Sequence, residues 1–182
     1  SKFIIMLRSR ITPCLLVKDG ALYKTVNFKE PKYIGDPLNT VRIFNEKEVD
    51  EIIILDIDAS VLKNEPNYKL IKDLALECRM PLCYGGGINS DDQIERIVGY
   101  GVEKVSINSG AIKNPSLIET AAKRVGSQSI AVTIDVSFSK KEKRYIIYKQ
   151  NGLTKTDLDL KDWIIKVQSL GAGEIIINSI DR

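Results

Sequence analysis

The chain has 182 residues and a formal net charge of +3, from 27 Lys and Arg against 24 Asp and Glu, with 43% apolar residues and no histidine. So small and evenly mixed a charge leaves no footprint for nucleic acid, and no uncharged apolar stretch is long enough to span a bilayer or direct membrane insertion. Without histidine, proton transfer falls to carboxylates, Lys, Tyr, hydroxyls or the backbone, and a His-ligated metal is excluded. Cys14, Cys78 and Cys83 lack metal-ligand spacing and read as reduced packing thiols of a cytoplasmic protein.

In chain order, Ser1 to Met6 is apolar but too short for a signal peptide, and Met6-Leu7 reads as the natural start of one domain over 6–182. A first strand is expected near Ile11 to Val17, then a long loop from Asp19 to Gly35 and a helix from Pro37 to Glu48. Strands near Ile52 to Ile57, Pro81 to Tyr84, Lys104 to Asn108, Ile130 to Val136 and Glu174 to Ser179 alternate with helices near Tyr68 to Arg79, Ser90 to Gly99, Pro115 to Val125 and Leu160 to Leu170. Asp36-Pro37, Ser90-Asp91-Asp92 and Asn114-Pro115 supply capping side chains for three of the helices. Gly101, Gly126 and Gly171 supply their ends. A hairpin-like stretch, Arg144 to Lys149 with Asn151-Gly152 as its turn, interrupts the rhythm after the fifth strand.

Strict alternation of strand and helix gives right-handed parallel units. Glu51-Ile-Ile-Ile-Leu-Asp-Ile-Asp recurs as Glu174-Ile-Ile-Ile-Asn-Ser-Ile-Asp, and shifting the second half back on the first also aligns the Ile130 strand with the Ile11 strand. This internal repeat favours a closed TIM (β/α)8 barrel over an open sheet. Such barrels take about 250 residues. About six of the eight units are therefore expected here, with the C-terminal units missing and the first and sixth strands left with apolar edges.

The chemistry of this fold lies at the C-terminal ends of its strands. There, Gly85-Gly86-Gly87 stands between a strand and a helix, where backbone N–H groups can meet an anion; a plain tight turn is the alternative. Asn108 and Ser109, at the end of the next strand, are suited to donate to phosphate oxygens, or to serve as a helix cap or turn. Asp135 closes the fifth strand as a candidate proton-transfer group. Its alternative is a loop carboxylate paired with Lys24 or another nearby lysine.

Pro13 to Gly20, Gly35-Asp36-Pro37, Leu55-Asp56-Ile57-Asp58-Ala59-Ser60, Gly85-Gly86-Gly87-Ile88, Lys104 to Asn108, Ile134-Asp135 and Gly171 to Arg182 together resemble the cyclase subunit family of imidazole glycerol phosphate synthase. The resemblance implies ammonia made by a partner glutaminase, a class I glutamine amidotransferase subunit. That ammonia would cross the barrel to a ribulosyl phosphate, which is cleaved and closed into an imidazole without a cofactor. It implies Gly86, Gly87, Asn108, Ser109, Lys24 and Asp181 as substrate- or phosphate-binding positions. Arg10, Glu51, Lys104 and Glu174 would form an ammonia gate at the opposite end, although a plain salt-bridge layer closing the barrel would need the same charges. Asp135 matches one of the family's two catalytic aspartates, whereas the other position holds Leu16, which moves no proton.

Leu16, Lys24 to Lys29, Pro31-Lys32-Tyr33 and Val41 to Glu51 resemble an amidation-associated branch found with surface-polysaccharide genes. That branch implies nitrogen transfer to a phosphorylated or nucleotide sugar. The alternatives are the histidine-pathway cyclase itself and a non-catalytic scaffold that activates a glutaminase.

Overall fold

In the computed structural model, which describes residues 10–26, 29–62 and 64–180, the strands are β1 (Cys14–Lys18), β2 (Ala21–Val26), β3 (Lys29–Gly35), β4 (Ile52–Asp56), β5 (Leu82–Gly85), β6 (Lys104–Ile107), β7 (Ile130–Ser139), β8 (Arg144–Lys149), β9 (Thr154–Lys155) and β10 (Glu174–Ser179). β1, β4, β5, β6, β7 and β10 lie side by side in that order, each parallel to the next. This is the (β/α)8-barrel arrangement over six successive units, with β1 and β10 unpaired with each other among the described residues. The outer strands are the least covered: Cys14 on β1 is exposed and Ile177 on β10 is 48% exposed. Cys14 therefore departs from the expectation of a packed thiol.

Parallel strands need crossovers, which here are α1 (Pro37–Glu46), the short α2 (Ala59–Leu62) with α3 (Tyr68–Glu77), α4 (Asp91–Gly99), the short α5 (Ser109–Lys113) with α6 (Ser116–Val125), and α7 (Leu160–Ser169). Their apolar stripes pack on the outward residues of the strands: Ile71, Leu74, Ile94, Ile97, Ile118 and Val167 join Ile54, Val105, Ile107, Val132 and Ile134 in one core. The first eight residues of β7 are buried without a break, as expected of a strand covered on both faces. No helix among the described residues is long and apolar enough to cross a membrane.

Two of the three expected caps form. The Asp36 carboxylate accepts from the Asn39 amide at 2.9 Å with Pro37 opening α1, and Ser90 with Gln93 closes a capping box on α4. Asn114 does not cap α6, which begins at Ser116 with no side-chain cap. Its backbone N–H already ends α5 by donating to the Gly110 carbonyl, so the residue is committed to the preceding turn. Gly101, Gly126 and Gly171 all take positive φ, as placed.

The segment expected as a loop from Asp19 to Gly35 is instead the antiparallel hairpin arm β2–β3. Asp19 (φ 49°) and Gly20 (φ 77°) make a two-residue turn that pairs Lys18 with Ala21. Asp-Gly is a strong hairpin signal, so the arm was readable from the residues. The second interruption is a hairpin as expected: β7 runs on past the barrel and pairs antiparallel with β8, which pairs with β9.

Gly110 in α5 is where two of these layers meet most closely, since a Cβ there would collide with the Ile88 carbonyl oxygen of the preceding crossover. Gly110→Ala should cost about 2 kcal/mol or more through backbone displacement, read as a lower urea midpoint at unchanged slope; an unchanged midpoint would refute this packing.

Candidate active site at the strand ends

Side chains alternate along a strand, so residues two apart share a face. On β6 and the residue that follows it, Lys104, Ser106 and Asn108 point inward, and each meets partners from other strands in its own polar layer. At the N-terminal end, Lys104 Nζ donates to Glu51 Oε1 at 3.0 Å and to Glu174 Oε2 at 2.6 Å. In the middle, the Ser106 and Thr133 hydroxyls lie 2.6 Å apart, both buried. At the C-terminal end, Asn108 and Asn178 each donate their Nδ2 to one oxygen of the Asp135 carboxylate, both at 2.8 Å. Four residues of strand separate the first layer from the last, about 13 Å.

Asp135 is only 4% exposed. Burial raises its pKa above the ordinary carboxylate value, and the two amide donors pull it back. Neither partner is a lysine, so the pairing with Lys24 does not occur: Lys24 is exposed on β2, across from Lys32, and does not line the cavity at the strand ends. Burial also pulls Lys104 down, but its hydrogen bonds to Glu174 and Glu51 more than offset this, and its pKa stays above the ordinary lysine value. Glu51, 6% exposed, is thereby a paired buried charge. Arg10 is exposed and makes no ion pair among the described residues. One lysine between two carboxylates thus replaces the expected four-charge ring, because Arg10 lies four residues before β1 begins. Cys83 sits by this layer, and burial pushes its thiol up to about 12, which keeps it protonated and inert.

A small cavity of about 60 Å³ opens at the strand ends. Asp135, Asn108, Ser109 and Gly86 line it together, as does Leu16 from β1. Gly87 does not. Its φ is +70° and a Cβ would lie 2.8 Å from Ala59 Cβ and 2.9 Å from the Asn64 carbonyl, so its glycine is required by packing on α2 and the segment that follows it. Gly86, at φ +123°, is similarly pressed on Asp56. Asp181 lies outside the described residues.

Sequence reasoning did not single out Asn178 or Asn151, which also line the cavity, as does Asp56 from the end of β4. Asn178 stands two residues after Ile176 on an inward face, so period-two counting from Glu174 would have found it. Asp56 accepts from the Asp58 and Ala59 amides at 3.1 and 3.0 Å, and its pKa is raised by burial against those bonds. Asp58 in turn pairs with Lys18 at 3.2 Å on the same rim.

Chemically, the end layer offers the Asp135 carboxylate in a fixed orientation, the Asp56 carboxylate on the same cavity, and amide and hydroxyl donors for an anion. That suits proton removal beside a bound phosphate.

Residues 10–182 match the family model described as "Histidine biosynthesis protein". The chain is 55% identical over 177 residues to the "Putative imidazole glycerol phosphate synthase subunit HisF" of Leptospira borgpetersenii, covering 97% of this chain and 70% of the relative. It is 53% identical to the subunit named "hisF3" of Vibrio vulnificus strain YJ016, and 44% identical to the "Imidazole glycerol phosphate synthase subunit HisF" of Lactococcus lactis strain IL1403, each over 97% of this chain and 68% of the relative.

Because Asp135 has a raised pKa in the folded state, its contribution to stability is full below the unfolded value and is lost as pH rises through the folded one. Asp135→Asn, which cannot ionise, should therefore gain on the wild type between pH 4.5 and pH 8. Urea unfolding at both values tests this, and a pH-independent difference would contradict it.

Proposed function

The chain belongs to the histidine biosynthesis protein family, and on that premise we propose that it is the ammonia-accepting barrel subunit of a synthase of the imidazole glycerol phosphate type, working with a glutaminase. The observation that carries this reading is the Asp135 carboxylate, clamped by Asn108 and Asn178 at the end of a polar path that begins at Lys104. Ammonia released at the Lys104 end would pass the Ser106–Thr133 pair and reach Asp135. Its nitrogen adds to an electrophilic carbon and sheds a proton, which the ionised carboxylate accepts. Asn108, Ser109 and the backbone near Gly86 hold the phosphoryl group.

The names of the relatives support ring formation as the reaction. They lend the surface-glycan reading no support of their own. One observation nevertheless favours nitrogen transfer to a phosphorylated or nucleotide sugar: Leu16 lines the same cavity as Asp135. With Leu16 at that position, ring formation forfeits a proton-transfer group on β1, typically worth about 10²–10⁴ in rate. Nitrogen transfer needs an ammonia path, a held electrophile and one base. The decisive experiment incubates the protein with its glutaminase, glutamine and either the ribulosyl phosphate or sugar nucleotides, and follows nitrogen incorporation by mass. Incorporation into neither, with the glutaminase activated all the same, would leave only a scaffold role.

Leu16→Asp should raise ring formation by about 10²–10⁴ if the missing carboxylate is the limiting group, measured as imidazole product at saturating ammonium; no gain would argue that the cavity is built for another reaction. Lys104→Ala should depress glutamine-driven turnover more than turnover with free ammonium. Equal loss with both nitrogen sources would make the Lys104 layer a plain structural seal.

A further inference from the structure

The turn between β8 and β9 reaches the cavity through Asn151. Every other lining residue comes from a parallel strand or from the turn directly after one; Asn151 alone arrives from the inserted hairpin. Its backbone is unusual too. Gln150, Asn151 and Gly152 take φ of 54°, 53° and 77° in succession, a left-handed run that L residues rarely adopt, although Asn tolerates it better than most. Strain of this kind persists where surrounding contacts hold it, and it gathers at ligand sites.

The contacts that hold it lead into the site. The Gln150 N–H donates to Ser109 Oγ at 2.8 Å, across 41 residues of chain. Thr154 Oγ1 donates to Gln150 Oε1 at 2.8 Å, and Leu153 N–H closes the turn on the Gln150 carbonyl at 3.1 Å. At Gly152 a Cβ would stand 3.1 Å from Ile180 Cδ1, which fixes the turn against the residue after β10. With its oxygen accepting from Gln150, Ser109 keeps its own proton as a free donor for a ligand. Asn151, which lines the same cavity, carries a carboxamide that could supply a second donor.

Resting on the phosphorylated-substrate reading above, we propose that Asn151 is a binding and specificity-determining residue, its side-chain amide donating to the phosphoryl group that Ser109 also contacts. The β8–β9 turn is then a wall of the substrate site, and the length and sequence of this hairpin select which phosphorylated sugars enter. A residue chosen only for its backbone would behave differently under one substitution. Asp tolerates the left-handed region as Asn does, yet it sets a negative charge against the phosphate.

Ribose 5-phosphate, titrated calorimetrically into the full chain, is the probe. Asn151→Asp should weaken its binding about tenfold or more, and Asn151→Gly, which keeps the turn and loses the amide, by about three- to tenfold. Both variants should melt close to the wild type. Binding by wild type and both variants alike would overturn the role of Asn151 and leave the phosphate site standing. No binding by the wild type would overturn the phosphate reading and this inference together. Should Asn151→Asp fail to fold, the glycine variant alone decides.

Discussion

A strand covered by helices on one face and by neighbouring side chains on the other has no place for a lone charge, and the pairing of Lys104 with Glu51 and Glu174 meets that constraint at the closed end of the barrel. Three strands must stand in register for the lysine to touch both acids, because Glu51 precedes β4, Lys104 opens β6 and Glu174 opens β10. Once that layer is set, alternation of side chains dictates which residues of β6, β7 and β10 face inward. Ser106 and Thr133 follow, then Asn108, Asp135 and Asn178. The interior polarity is therefore one decision carried along the strands rather than three separate ones.

The same alternation explains why the outside of the strands is so uniformly apolar. Ile54, Val105, Ile107, Val132 and Ile134 are buried in one apolar core with the helices. Selection on the inner face can thus change chemistry while the outer face keeps the fold. Leu16 illustrates this separation: an apolar residue of β1 lines the mouth while the pairing of β1 with β4 is unbroken. A fold can remain a synthase barrel while the reaction at its mouth is altered.

Much of the architecture was legible because apolar runs and capping residues announce themselves locally. The six parallel strands and the five principal helices lie where periodicity put them, and the Ser90–Gln93 capping box sits where its residues imply. By periodicity the hairpin arm β2–β3 reads as a loop although Asp19-Gly20 signals it, since neither of its strands carries a long apolar run. The site was legible in part: Asp135, Asn108, Ser109 and Gly86 converge on one cavity. Lys24 and Arg10 do not join their expected partners, because both stand on exposed segments beside the first strand, where no neighbouring stave fixes a long side chain. Asn151 escaped because nothing local distinguishes an asparagine in a turn from one that reaches a cavity, whereas Asn178 shares the inward period of Glu174 and shows its partner only in the fold. Only the joining of distant segments, 43 residues apart for Asn178 and Asp135, reveals them.

That separation gives the clamp on Asp135 another meaning. A one-residue slip of β6 or β10 against β7 would turn an asparagine to the opposite face and strand a buried carboxylate with half its partners. The purely aliphatic positions offer little discrimination against such a slip, since one isoleucine replaces the next at small cost. The two amides therefore proofread the assembly of the barrel, penalising a misregistered chain at its buried carboxylate.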